Sequence, residues 1–184
     1  MSRLRFNTAL EVFETFPSAG KVVRTRPTNE PPLGFLRKLA QGSTPTEAIG
    51  FCAFLLPRRE AVWWATQSLR AMQPPRTQDE GIAAAEAWVR DPSDAMRRAA
   101  LAIAETGDTA VPGTWAAFAA GYSGGSMATG HAVPCPPDLT AKMVRIAVLT
   151  ALGQLSGRDS AAALRNCVEA CIRLVDDDGS KPRP

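Results

Sequence analysis

The chain has 184 residues, 45% of them hydrophobic and 21% charged, which places it among ordinary globular proteins and excludes wholesale disorder. Its length predicts one domain with a core that needs neither metal nor disulfide staples. The net charge of +3 falls short of the dense Lys/Arg patch of a nucleic-acid binder, so nucleic acid is not an expected partner.

Residues 1–31 read as a loosely structured N-terminal arm. Its short amphipathic piece, 8–16, offers Leu10, Val12, Phe13 and Phe16 for packing, and Pro31-Pro32 closes it. The basic start is not followed by the apolar run of a secretory leader, because Glu11 and Glu14 interrupt it. Residues 32–175 form the predicted helical domain, and residues 176–184, charged and without large apolar side chains, read as a disordered tail.

Inside the domain the punctuation is helical. Thr44 and Glu47 bracket Pro45 as a capping box and start a helix over 45–55. Pro57 opens the next, 57–72, which Pro74-Pro75 ends. Thr77-Gln78-Asp79-Glu80 starts a third, reaching Arg90, and Asp91-Pro92-Ser93-Asp94 a fourth, to Thr106. Pro112 begins a fifth, to about Tyr122. A Gly/Pro-rich loop over 124–137 leads to helices over 138–155 and 159–175. The pattern predicts an all-α, single-domain orthogonal bundle of about seven helices. The helix at 138–155 is apolar nearly all round and belongs at its centre. That helix carries Lys142 and Arg145 and is shorter than the ~20 residues of a membrane span, so no membrane insertion is expected.

Chemistry-bearing residues are sparse. Gly121-Tyr122-Ser123-Gly124-Gly125 has the G-x-S-x-G spacing of a nucleophile elbow. That device needs a strand before the serine and an acid and histidine after it, whereas a helix precedes Ser123 and the single histidine, His131, follows with no acid between. The glycines read better as a left-handed helix cap. His131, Cys135, Cys167 and Cys171 supply zinc-type ligands, but Cys167 and Cys171 fall in the apolar stripe of the last helix with Leu164, Val168 and Val175. They read as buried thiols whose i, i+4 geometry suits a disulfide poorly. The four cysteines are too few for a disulfide scaffold and fit a reducing cytoplasm. The acidic pairs Asp79/Glu80, Asp91/Asp94 and Glu105/Asp108 read as caps and solvated helix ends, and Arg97-Arg98 as a solvated face. No catalytic set, metal or cofactor is expected.

The most unusual stretch is Arg58-Arg59-Glu60-Ala61-Val62-Trp63-Trp64-Ala65. Successive helical residues are about 100° apart, so the two indoles face different ways. Trp64 flanks a buried stripe of Val62, Ala65, Leu69 and Met72. Trp63 lies opposite, with Arg59, Thr66 and Arg70. Arg59, Trp63 and Arg70 are the candidate partner-binding residues, since an exposed Trp beside arginines suits an interaction hot spot.

That stretch, the run Ala87-Trp88-Val89-Arg90-Asp91-Pro92 with Arg97-Arg98, the passage from Trp115 to Ser123-Gly124-Gly125-Ser126, and Pro136-Pro137-Asp138-Leu139-Thr140-Ala141 occur in that order. Together they resemble a bacterial family of small, functionally uncharacterised proteins associated with type VI secretion gene clusters. The resemblance spans about residues 4–175. It implies an accessory role in secretion and brings no catalytic residues to transfer. The expectation is a non-enzymatic cytoplasmic interaction protein, an adaptor or chaperone-like accessory that binds a secretion component or its cargo. An immunity or regulatory protein binding a single toxin or signalling partner is the alternative, and a metalloprotein or hydrolase ranks behind both.

Overall fold

The computed structural model describes residues 5–128 and 132–176. The described residues form α1 (Ala9–Thr15), a 3-10 turn (Pro17–Lys21), α2 (Pro32–Gln41), α3 (Thr46–Leu55), α4 (Arg58–Met72), α5 (Glu80–Arg90), α6 (Asp94–Thr106), α7 (Pro112–Gly121), α8 (Leu139–Gly153) and α9 (Gly157–Asp176). No strand occurs among them; one isolated antiparallel bridge joins Ser126 to Pro134. The protein is all-α. The seven helices expected from the sequence are α3–α9, and α1 and α2 come in addition. The tail expected over 176–184 meets the structure only at Asp176, the last residue of α9, and residues 177–184 lie outside the described residues.

Helix starts follow local chemistry. Thr8 Oγ1 accepts from the Glu11 N–H at 3.2 Å, Asp79 Oδ1 from Ile82 at 3.0 Å and Ser93 Oγ from Met96 at 3.4 Å, each pairing a donor that the first turn leaves unpaired. Pro32 and Pro112 occupy the first positions of α2 and α7, where a missing N–H costs nothing.

The segment expected to be a loosely structured arm is built into the core. Phe6, Val12, Phe16, Ala19 and Val23 are buried. Phe13 sits 6.0 Å from both Phe35 of α2 and Phe51 of α3, and Phe16 sits 5.8 Å from Phe54. Such aromatic clusters outweigh the weak helix propensity of the stretch. Backbone bonds from Ala9 to the Glu30 carbonyl (2.9 Å) and from Leu10 to the Thr28 carbonyl (3.1 Å) fold the segment back on itself.

Two helices are enclosed nearly all round, α3 and α7. In α3 every residue from Glu47 to Leu55 is buried. In α7 the surface is Gly113, Ala116, Ala117, Ala119, Ala120 and Gly121, which lets α5, α6, α8 and α4 pack against it. A Cβ on Gly81 of α5 would collide with the Gly113 carbonyl, and one on Gly121 would lie 2.8 Å from Leu101 Cβ of α6. The helix at α8 packs on α7, α4 and α3 but leaves Met143, Ile146 and Leu149 only partly covered. No residue from Leu139 to Leu152 is exposed, so α8 is a largely covered helix, though less completely enclosed than α3 and α7.

Glu47 shows why the arm stays down. Its buried carboxylate accepts from the Thr25 hydroxyl (2.8 Å) and Thr25 N–H (3.1 Å), while Thr44 Oγ1 stands at 3.5 Å. The capping-box glutamate thus reaches across to the arm. Burial pushes its pKa up, but the hydrogen bonds from Thr25, Arg24 and Thr44 outweigh burial and hold it below the ordinary value. A depressed carboxyl pKa contributes stability above its unfolded pKa of about 4.3, and that contribution is lost as pH falls through the lower folded value. Glu47→Gln is expected to cost about 1–2 kcal/mol at neutral pH. In denaturant titrations the gap to wild type should close as pH falls below about 4.

Candidate functional site

On α4 the two tryptophans separate as their spacing demands. Trp64 is 2% exposed and its indole N–H donates to the Cys167 carbonyl of α9 at 2.8 Å. Trp63 is 39% exposed. Val62, Ala65 and Leu69 are buried beside Trp64, with Met72 partly so. Thr66, expected on the outer face, is buried, and its hydroxyl donates to the Trp63 carbonyl at 2.9 Å.

The arginines flanking Trp63 have work of their own. Arg59 Nε donates to the Val89 carbonyl at 2.7 Å, near the end of α5 where carbonyls lack helical partners. Arg70 makes a two-pronged pair with Glu86 of α5, both contacts at 3.1 Å, and a third bond to the Thr77 carbonyl at 3.2 Å. The hydrogen bond and charge of Glu86 raise the Arg70 pKa above its ordinary value. The structure thus brings Arg59, Trp63 and Arg70 onto one helix, with both cations tying α4 to α5. Trp63 is left as the large side chain that projects from this stapled pair. Tying the cations removes side-chain freedom that a partner would otherwise have to quench on binding.

A second organised region adjoins the start of α4. The segments that carry the family resemblance meet there. Arg58 donates to the Ser123 carbonyl (3.0 Å) and the Pro137 carbonyl (3.3 Å), gripping both ends of the loop between α7 and α8. Arg97 of α6, 7% exposed, donates to the Gly121 carbonyl at 2.9 Å and the Ser126 carbonyl at 3.3 Å, and pairs with Asp94 at 2.8 Å. Its guanidinium lies against Gly125, where φ is +63° and a Cβ would meet Arg97 at 3.0 Å. The left-handed glycine therefore serves the arginine rather than capping α7, whose last cap is Tyr122 at φ −95°. Within the loop Met127 bonds to Val133 (2.9 Å) and Cys135 to the Gly125 carbonyl (3.1 Å) as a short ladder. Arg97, read from sequence as solvated, is the correction here. Its spacing from Ala100, Leu101 and Ala104 put it on the buried stripe of α6, and that signal was available.

Beside Arg58 lies a cleft of about 320 Å³ lined by Arg5, Phe16, Phe54, Leu56 and Thr140 among others. Arg5 rests 5.0 Å from the Phe6 ring centre and 5.5 Å from that of Phe16. Burial and then the Arg58 charge lower its pKa from the ordinary value, against the pull of Glu60.

The remaining sequence candidates have structural positions. Ser123 follows helix α7, not a strand, and its N–H bonds to the Ala120 carbonyl, so the elbow geometry is missing. His131 lies outside the described residues. Cys135 donates its thiol to the Tyr122 carbonyl. Cys52, Cys167 and Cys171 are buried, with burial pushing the Cys52 and Cys167 thiols up. Among the described residues no three His, Cys, Asp or Glu side chains converge on a metal position. Asp79 caps α5, Asp94 pairs with Arg97 and Arg98, and Asp108 accepts from the Ala110 N–H at 2.8 Å. No helix among the described residues is long and apolar enough to cross a membrane.

The fold and these surfaces define an all-α protein whose helices and one long loop are pinned by arginine–carbonyl bonds. The chain belongs to the DUF6931 family, a family of unknown function, whose model matches residues 35–175. No curated protein and no solved structure matches it.

The arginine clamp makes a direct prediction. Arg97→Met should cost about 2–3 kcal/mol, because it strips buried carbonyls of their donor. Gly125→Ala should cost about 1–2 kcal/mol through its left-handed backbone and contact with Arg97. Ser123→Ala should leave stability within about 0.5 kcal/mol. Chemical denaturation of the three variants checks the order.

Proposed function

We propose that this chain is a non-enzymatic interaction protein, an adaptor or chaperone-like accessory of a bacterial type VI-like secretion system, acting in the cytoplasm on a secretion component or its cargo. The observation that carries the reading is Trp63, an indole exposed on a helix that Arg59 and Arg70 staple to α5. Trp is enriched at interface anchors, and rigid presentation lowers the cost of association. The secretion setting is supported by the resemblance of the four segments, which converge around Arg58 and Arg97.

The two tryptophans separate folding from binding. Trp64→Ala should lower stability by about 3–5 kcal/mol, through the lost core volume and the lost indole hydrogen bond to the Cys167 carbonyl. Trp63→Ala should change stability by less than about 1 kcal/mol but weaken partner binding by about 2 kcal/mol or more. Thermal melts beside co-purification from a native host, with mass spectrometry of what is retained, read both quantities. If Trp63→Ala retains the same partner as wild type, the surface lies elsewhere.

A further inference from the structure

Every residue of α7 is buried except Trp115 and Phe118. Val111, just before the helix, is 40% exposed, and Tyr122, just after it, is half-buried. The four stand at i, i+4, i+7 and i+11, on one helix face. Their rings form a ladder. Trp115 and Phe118 are 5.8 Å apart between centres, and Phe118 and Tyr122 are 5.4 Å apart with their planes 19° from parallel. A helix that turns one face to water normally carries polar residues there. In α7 the small residues serve the packed helices, and the aromatic ones are left at the surface.

The border of this face is acidic. Glu105, near the end of α6, is close enough to Tyr122 that its charge, after burial, raises the phenol's pKa. Val111 also belongs to the wall of a hollow of about 460 Å³, which has Asp79, Glu80 and Asp108 in its lining and, among the described residues, no lysine or arginine. None of these four carboxylates is ion-paired within the described residues. Asp79 and Glu80 suit the start of α5, where the helix dipole favours acids. Glu105 and Asp108 stand at the end of α6, where the dipole favours cations, and no basic residue occupies its last turn. Nearby bases are engaged elsewhere: Arg98 with Asp94 at 2.7 Å, and Arg70 with Glu86 at 3.1 Å. In a chain of net charge +3 this face runs against the overall sign.

We propose that the face docks an arginine-bearing segment of a second partner protein, with a guanidinium stacked on Phe118 and Tyr122 and paired with Glu105, and a further cation in the hollow beside Asp108. Arginine meets both features at once, because its planar group stacks on aromatic rings and pairs with carboxylates. A purely apolar segment would cover Glu105 and Asp108 without a counter-charge, and an acidic one would meet like charge. Trp63 lies on α4 against α5, so this surface is a separate one and does not rest on the role proposed for Trp63.

Fluorescence anisotropy of labelled octa-arginine, octa-lysine and octa-glutamate with the full chain tests the assignment. Octa-arginine should bind saturably, about fivefold or more tighter than octa-lysine, and octa-glutamate should not bind. Phe118→Ala should weaken octa-arginine binding by about fivefold or more. Glu105→Gln, at an exposed position without an ion pair, leaves the fold intact and should weaken it by about threefold or more. Glu14→Gln, an exposed acid on α1, should leave it unchanged. Absence of saturable binding, equal affinity for octa-arginine and octa-lysine, or wild-type affinity in Glu105→Gln would overturn the proposal. So would an equal loss in Glu14→Gln, or self-association of the free chain that Phe118→Ala abolishes, which would make a second copy the occupant.

Discussion

The close approach of backbones around α7 sets the rest of the molecule. Gly81 and Gly113 bring the starts of α5 and α7 together at a distance no Cβ would permit, and Gly121 lets α6 cross the other end beside Leu101. Four alanines fill the surface between. Interiors pack at crystal-like density, so such a small-surfaced helix draws its neighbours in rather than leaving voids. The position of α5 then decides where Val89 and Glu86 stand, and these are the groups that take Arg59 and Arg70 of α4. The exit of α7 likewise decides where the loop begins, and so what Arg58 and Arg97 can reach.

Arginine recurs as the joining element because its planar fork satisfies several carbonyls at once and keeps its charge when partly buried. Arg58 and Arg97 shape a loop that has little regular structure of its own, and Arg59 and Arg70 fix the platform under Trp63. These bonds are intramolecular. They hold Arg59 and Arg70 against α5 and leave Trp63 exposed between them. Arg145 stands apart: among the described residues its buried Nε–H meets no acceptor.

The helices from α3 to α9 were legible because capping residues and prolines mark their ends locally, and because Trp63 and Trp64 must diverge on any helix. What was hidden depended on partners far along the chain. Pro31-Pro32 suggested the end of an arm, yet Pro32 is the first residue of α2, whose Phe35, Leu36 and Leu39 are buried. The arm owes its order to Phe13 meeting Phe35 and Phe51 and to Glu47 reaching Thr25, contacts that no local pattern specifies. Arg59 and Arg70 were placed on the right face, but a residue pattern on α4 says nothing of where α5 puts its carbonyl and carboxylate. In the same way, the apolar character of α8 announced burial without saying which side the arm would cover.

The central claim is that Trp63 is where another protein docks. A photo-crosslinking amino acid placed at position 63, and in separate chains at the similarly exposed Val111 (40%) and Val133 (43%), tests it in the native host. The account predicts one discrete covalent adduct from position 63 and none of the same mass from 111 or 133. The same adduct from all three positions, or none from 63 in a folded chain, would contradict it.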